Sequence, residues 1–268
     1  MTKGSGQAVA GRLRAAGCVF AEDEAALLIS AAATPAELDA MVDRRTAGLP
    51  LEQVLGWAQF CGLRIALDPG VFVPRRRTEF LVRHALALEA PGRDALPVVL
   101  DLCCGSGAVG VALAAGLGQV ELHAVDVDPR AVACARRNVA GTGGEVYCGD
   151  LYQPLPAQLR GRVDLLSANA PYVPTTAIRF LPPEARLHEP AVALDGGHDG
   201  LDILRRVLAE AGAWLAPGGH VLVETSAEQA GEAARALRAT GLSARVVTSM
   251  QLEATVVIAT SSRQPSGP

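Results

Sequence analysis

The seven residues Asp101-Leu102-Cys103-Cys104-Gly105-Ser106-Gly107 constrain this 268-residue chain more than any other stretch. They continue the apolar run that starts at Val98, which has the length and β-branched texture of a buried strand. They lead into residues 107–115, an Ala/Val/Leu-rich segment that reads as a helix. A strand that turns through glycines straight into a helix brings the backbone close to a ligand and offers it the unpaired N–H groups of the helix start. The same alternation continues to the C-terminus. Strands are expected at 98–102, 120–125, 146–149, 163–168, 220–225, 244–247 and 255–259. Helices are expected over 128–140, where Asp128 caps and Pro129 opens the first turn, along the stripe Leu201, Leu204, Leu208, Ala211 and Leu215, and over 228–240. This order packs as an α/β fold, Rossmann-like, with a doubly wound and mostly parallel sheet.

The N-terminal part has another texture. Residues 22–33 form an Ala-rich helical frame holding Leu27, Leu28 and Ile29. Thr34-Pro35-Ala36-Glu37 combines a cap, a first-turn proline and a capping-box glutamate ahead of Leu38, Met41 and Val42. Between 56 and 74, Gly62, Pro69 and Gly70 break short apolar pieces, as in a hairpin or an extended linker. A helix is expected over 78–90. The organisation read from these signals is a small helical domain at 1–55, a hairpin or linker at 56–76, the α/β domain at 77–260 and a polar tail at 261–268.

Composition removes several function classes. The balance of 24 basic and 28 acidic residues is opposite to that of most proteins living on phosphate backbones, so nucleic acid is not the expected partner. Arg75-Arg76-Arg77 is a local basic patch or a solvated turn. Lys3 is the sole lysine, which excludes P-loop, Schiff-base and kinase-type lysine chemistry. The six cysteines form no C-x-x-C pair and no histidine stands at a zinc-like spacing; reduced thiols and no metal are expected. Without a signal core or an apolar run long enough for a bilayer, the expectation is a cytoplasmic protein, not a membrane one, acting as a monomer.

Gly105, Gly107 and Gly110 fit the dinucleotide fingerprint, a pattern common by chance. The acids at successive strand ends favour S-adenosylmethionine instead. Asp101 stands just ahead of the glycines, poorly placed for a pyrophosphate but suited to the cationic end of S-adenosylmethionine. Asp126 can accept both ribose hydroxyls, and Asp150 can accept from an adenine amino group. The candidate cofactor set is Asp101, Cys103, Cys104, Gly105, Ser106, Gly107, Asp126, Asp150, Leu151 and Asn169. Taken singly, each acid also reads as an N-cap or loop residue.

After the fourth strand comes Asn169-Ala170-Pro171-Tyr172, the candidate catalytic set. An amide or aromatic amine nitrogen is a poor nucleophile because its lone pair is delocalised. Two acceptors that take its two N–H hydrogens aim that lone pair at a methyl donor, and the Asn169 side-chain oxygen and the Ala170 carbonyl are such acceptors. Tyr172 can cover the flat face of the group. The plain alternative is an Asn-x-Pro turn.

Here the chain resembles the protein-(glutamine-N5) methyltransferases that modify peptide chain release factors. That family carries Asn-Pro-Pro-Tyr where this chain has Asn169 to Tyr172, and Asp-Leu-Gly-Thr-Gly-Ser-Gly where it has Asp101 to Gly107. Also similar are Gly149-Asp150-Leu151-Tyr152, Val73-Pro74-Arg75 with Thr78-Glu79, and Glu189-Pro190 followed by Gly196-Gly197-His198-Asp199-Gly200-Leu201. The likeness covers residues 44–224 and implies methylation of the glutamine of a Gly-Gly-Gln motif, with the N-terminal helices helping to hold the protein substrate. The chain reads as a divergent member. Ala170 stands for a proline, Cys103 for the first loop glycine and Arg77 for an acid, and residues 248–253 lack an Arg-Asp pattern.

The other readings are an N-methyltransferase acting on a small molecule or an adenine base, a nicotinamide-dependent oxidoreductase, and an inactive S-adenosylmethionine-binding module. Residues 172–198 show no regular element and are expected to form a proline-stiffened substrate lid, with His188 and Glu189 as structural partners inside it. Trp57 and Trp214 read as packing residues.

Overall fold

The computed structural model describes residues 3–88 and 96–262. The last residues of the helix expected over 78–90, and 263–268 of the polar tail, lie outside the described residues.

Four helices open the chain: α1 (Lys3–Ala15), α2 (Ala21–Ala31), α3 (Pro35–Thr46) and α4 (Leu51–Leu55). The Thr34 hydroxyl accepts the Glu37 amide at 3.1 Å, while the Glu37 carboxylate reaches back past the cap to the Ala33 amide at 2.8 Å. Leu38, Met41 and Val42 then meet Leu13, Leu28 and Val54 in one apolar cluster. A hairpin follows, β1 (Trp57–Phe60) with β2 (Leu63–Ala66). Its two-residue turn, Cys61-Gly62, has positive φ at both positions (50° and 78°), the twist that matches right-handed strands. Phe60 and Ile65 are buried against α5 (Glu79–Leu86) and α6 (Ala108–Leu117), so the hairpin belongs to a core rather than spanning a gap.

The remaining strands are β3 (Val98–Leu102), β4 (Glu121–Asp126), β5 (Glu145–Cys148), β6 (Val163–Ala168), β7 (Leu215–Thr225), β8 (Ser243–Ser249) and β9 (Ala254–Thr260). They form one sheet in the order β5-β4-β3-β6-β7-β9-β8, parallel except for β9, which runs antiparallel to both neighbours. Side chains alternate across it. Val98, Leu100 and Leu102 join the cluster beneath α9 (Asp202–Trp214) and α10 (Ala230–Ala239). Val99 joins the opposite cluster with Leu81 and Leu113, and by the same period of two Asp101 points toward α6. Between β4 and β5 runs α7 (Pro129–Val139), capped by Asp128 as its sequence requires. No helix among the described residues is long and apolar enough to cross a membrane.

Two expectations need correction. β7 starts at Leu215, not at 220, and absorbs Pro217-Gly218-Gly219. The pairing with β6 shifts register between Val163 and Leu165, and a Cβ at Gly219 would sit 2.6 Å from the Val163 carbonyl, so glycine permits this close irregular start. Residues 172–198, expected to lack regular elements, also have some: 3-10 turns at Thr175–Phe180 and Ala191–Ala193 flank the short α8 (Pro183–His188). Pro183 opens α8 in its first turn, where a missing N–H costs nothing, and Pro174, Pro182 and Pro190 stand immediately before the three helical pieces.

The chain proceeds outward from β3 in one direction through β4 and β5, and in the other through β6 and β7. The loops after β3 and β6 therefore part at the carboxyl edge of the sheet and leave a crevice between them, the usual ligand position in such folds.

Candidate active site

The turn after β3 forms one wall of the crevice. Cys103, Gly105 and Gly107 all have positive φ (55°, 56° and 77°), so the backbone needs at each a conformation that suits glycine. The Cys104 N–H donates to the Val125 carbonyl at 3.0 Å and the Gly105 N–H to Asp126 Oδ2 at 2.8 Å. Asn138 of α7 donates to the Ser106 carbonyl. Gly107 has a packing reason too: a Cβ there would lie 3.3 Å from both Ala135 and Val139 side chains.

Three carboxylates stand along this edge. Asp101 is buried, accepting the Ser167 hydroxyl and the Gly110 amide, both at 2.9 Å. Burial pushes its carboxyl up to about 7, against those two hydrogen bonds. A Cβ at Gly110 would sit 3.3 Å from its oxygen, so the third glycine of the fingerprint makes room for Asp101. Asp126 ends β4; its second oxygen accepts the Asp128 amide at 2.9 Å, and burial raises its carboxyl. Asp150 follows β5 and pairs with Arg206 of α9. Beside it Leu151 holds a positive φ of 50°, so Cys103 and Leu151, two strained non-glycine residues, line the same cavity.

The loop after β6 forms the other wall. Asn169 Nδ2 donates to the Thr78 hydroxyl at 3.3 Å. Ala170 and Pro171 are buried. The ring of Tyr172 lies 5.8 Å from the Arg77 guanidinium, and burial together with neighbouring Glu224 pushes its phenol up to about 12. Gln229 donates to the Tyr172 carbonyl and to that of Asp199, clamping this loop to the Gly196–Gly200 turn.

One cavity is lined by Cys103, Gly105, Asp126, Asp150, Leu151, Asn169, Ala170, Pro171 and Tyr172. Asp101, Cys104 and Ser106 line an adjoining recess, shared with Cys103, Gly105 and Asn169. Gly107 lines neither. The sequence reading missed Phe72, Arg77, Val127 and Asp128, which also line the main cavity, as do Pro190, Val192 and Leu194 of the 172–198 segment. Asp128 was hidden by its role as a cap; Phe72 and Arg77 flank the Val73-Pro74-Arg75 motif that pointed toward them. His188 and Glu189 are structural: Gln53 donates to the His188 carbonyl, and Glu189 accepts from the Val73 amide and Arg75. All six cysteines are free thiols.

The acids at this edge favour one of the two cofactors. The N–H groups of Cys104, Gly105, Gly107 and Gly110 are bonded within the protein, which leaves a pyrophosphate only part of the usual set of donors at this turn. The edge instead presents carboxylates, which suit a cationic ligand with hydroxyl and amino donors. A doubly wound sheet with this edge defines an S-adenosylmethionine-dependent methyltransferase.

Comparison with known proteins agrees. Residues 62–180 match the family model described as Methyltransferase small domain. The release factor glutamine methyltransferase of Geobacter sulfurreducens is 42% identical over 201 residues, 73% of this chain and 68% of that protein. The 4-amino-L-phenylalanine/4-methylamino-L-phenylalanine methyltransferase of Streptomyces pristinaespiralis is 39% identical over 203 residues, 75% of this chain and 69% of that one. A solved methyltransferase from Pyrococcus furiosus shares the fold, with a TM-score of 0.54 over 84% of this chain and 98% of that chain at 18% identity. The chain belongs to the release factor glutamine methyltransferase family.

Proposed function

We propose that this enzyme methylates the side-chain amide nitrogen of a protein glutamine, in a Gly-Gly-Gln motif of a peptide chain release factor. The observation that carries this is the direction of the Asn169 amide. Its nitrogen is turned to Thr78, which leaves its oxygen and the Ala170 carbonyl as two acceptors for one planar NH2 group. Held so, the acceptor nitrogen directs its lone pair along one line, and Tyr172 covers its face. No strong base is required, because the nitrogen's proton becomes acidic as its bond to carbon forms. Asp126 would hold the ribose hydroxyls, Asp150 and Leu151 the adenine, and Asp101 with the residues 103–107 turn the amino-acid end; the cofactor supplies an electrophilic methyl group. Residues 1–55 and the lid would grip the substrate protein around the reacting side chain.

The relative that acts on 4-amino-L-phenylalanine supports a second reading, an aromatic amine of a small molecule, since such a nitrogen is planar and offers the same two hydrogens. Incubation with radiolabelled S-adenosylmethionine and either a release factor or a panel of aromatic amines separates the two. Label on a glutamine, mapped by mass spectrometry, supports the first; label only on an amine replaces it with the second.

A further inference from the structure

We propose that a second cavity beside the acceptor site is a substrate subsite, in which Arg77 binds a carboxylate that the acceptor carries a few atoms from its reacting nitrogen. This rests on the reading of Asn169 and Ala170 as the groups that hold that nitrogen. The cavity, of about 570 Å³, lies where the end of β7 meets the β8–β9 turn. Arg77 and Tyr172 line both it and the main cavity, so these two residues stand at the border between them. A substrate whose nitrogen lies against Tyr172 therefore has the second cavity within reach of the rest of its structure. Two departures from the release factor enzymes meet in this one place. Arg77 stands where that family carries an acid, and residues 248–253, which lack its Arg-Asp pattern, supply Thr248, Ser249, Met250 and Glu253 to the wall.

Arg77 is held as a fixed fork. Its Nε donates to Glu224 Oε1 at 3.3 Å. The Glu224 side chain is 2% exposed, and its Oε2 has no hydrogen-bond partner. A guanidinium that served only to neutralise this carboxylate would lay two N–H groups across both oxygens. Arg77 instead meets one oxygen through Nε alone and leaves both terminal nitrogens without a hydrogen bond among the described residues. Its side chain is 42% exposed, so the anchored end is dry while the free end reaches the space between the cavities. A planar fork held in this way matches the two oxygens of a carboxylate. Glu253, in the same wall, offers a place for an ammonium group, the other charge of an α-amino acid. Two sources supply the carboxylate: the α-carboxylate of a free amino acid, and an acidic side chain next to the glutamine of a protein.

The test uses the full-length protein with S-adenosylhomocysteine bound, and two pairs of probes. One pair is 4-amino-L-phenylalanine and its α-carboxamide. The other is two end-capped Gly-Gly-Gln peptides, with Glu or Ala after the glutamine. Calorimetry reads affinity, and methyl transfer from S-adenosylmethionine reads kcat/KM. Arg77→Met removes the fork; Arg77→Met/Glu224→Gln removes it without leaving a buried charge and serves if the single variant does not fold. In one pair the carboxylate probe is expected to bind about 10-fold or more tightly than its neutral twin, and the difference should fall to within about twofold in the variants. The pair that shows it identifies the source. Equal affinities within both pairs, no measurable binding of any probe, or a preference that outlives Arg77→Met would overturn the proposal. A carboxylate preference that depends on Arg77, with methyl transfer to none of the probes, would support the subsite and sink the acceptor reading instead.

Discussion

Arg45 of α3 holds Glu184 of α8 at 3.3 Å while its other nitrogens grip Glu24 of α2 at 2.7 and 3.2 Å. The N-terminal helices are thus joined to α8 through this guanidinium, and through Gln53 of α4, which donates to the His188 carbonyl. The Arg45–Glu24 pair is 11% exposed on each side, and removal of Arg45 leaves a buried, unpaired carboxylate. Arg45→Ala is expected to cost about 3 kcal/mol. Glu184 is 43% exposed, so Glu184→Ala should cost less than about 1 kcal/mol and act on the proposed lid alone. Denaturant unfolding reads the difference. A raised KM for the protein substrate in Glu184→Ala, with cofactor affinity unchanged, is the expected kinetic sign of a loosened lid; an unchanged KM removes the lid from substrate binding.

Asn169→Ala deletes one of the two acceptors proposed for the substrate amide. The expected loss in kcat is about 100-fold or more, with cofactor affinity held within about twofold. Single-turnover methyl transfer and calorimetry on the same preparation measure both. Near-normal turnover would refute the amide-orienting role.

With Asp101 at the cofactor's cationic end, as proposed, cofactor binding should depend on pH. Its carboxyl is raised from an ordinary value of 3.8 to about 7 by burial. A cationic ligand beside it favours the ionised form, so affinity should rise from pH 6 to 8 and binding near pH 7 should release a proton. Calorimetry in buffers of different ionisation enthalpy detects that proton, and Asp101→Asn should abolish it. For folding, the sign is opposite to that of a salt-bridged acid. The folded state keeps this proton until about pH 7 while the unfolded chain loses it near 4, so this group lowers stability as pH rises through that window.

Cys103 sits at a φ of 55° in the turn that meets the cofactor cavity. A left-handed conformation costs a side-chain-bearing residue roughly 1–2 kcal/mol, part of which glycine returns in chain entropy. Cys103→Gly should therefore raise stability by up to about 1 kcal/mol and Cys103→Val should lower it, since a β-branched residue tolerates positive φ least. Equal melting temperatures for the two variants would show that the turn relaxes.

Much of this molecule is local, and local features are legible in a sequence. The capped helix at Asp128, the Cys103–Gly107 turn, the acids at strand ends and the loop from Asn169 to Tyr172 depend on residues a few positions apart, through hydrogen bonds and steric limits that act within a turn. The start of β7 at Leu215 was not legible, because a proline and two glycines read as a stop unless the partner strand shifts its register to accept them. Nor was α8, a helix too short to show a period, held in place by Arg45 and Gln53 from far away in the chain. The acceptor site shows the same division. Asn169 announced itself, but Thr78 is 91 residues before it, and Arg77 reaches Glu224 across 147 residues. Their meeting depends on strand order, which lays β7 beside β6 and brings the start of α5 against both. Side-chain partnerships over such separations are set by how the sheet is wound, and no spacing within the chain encodes them.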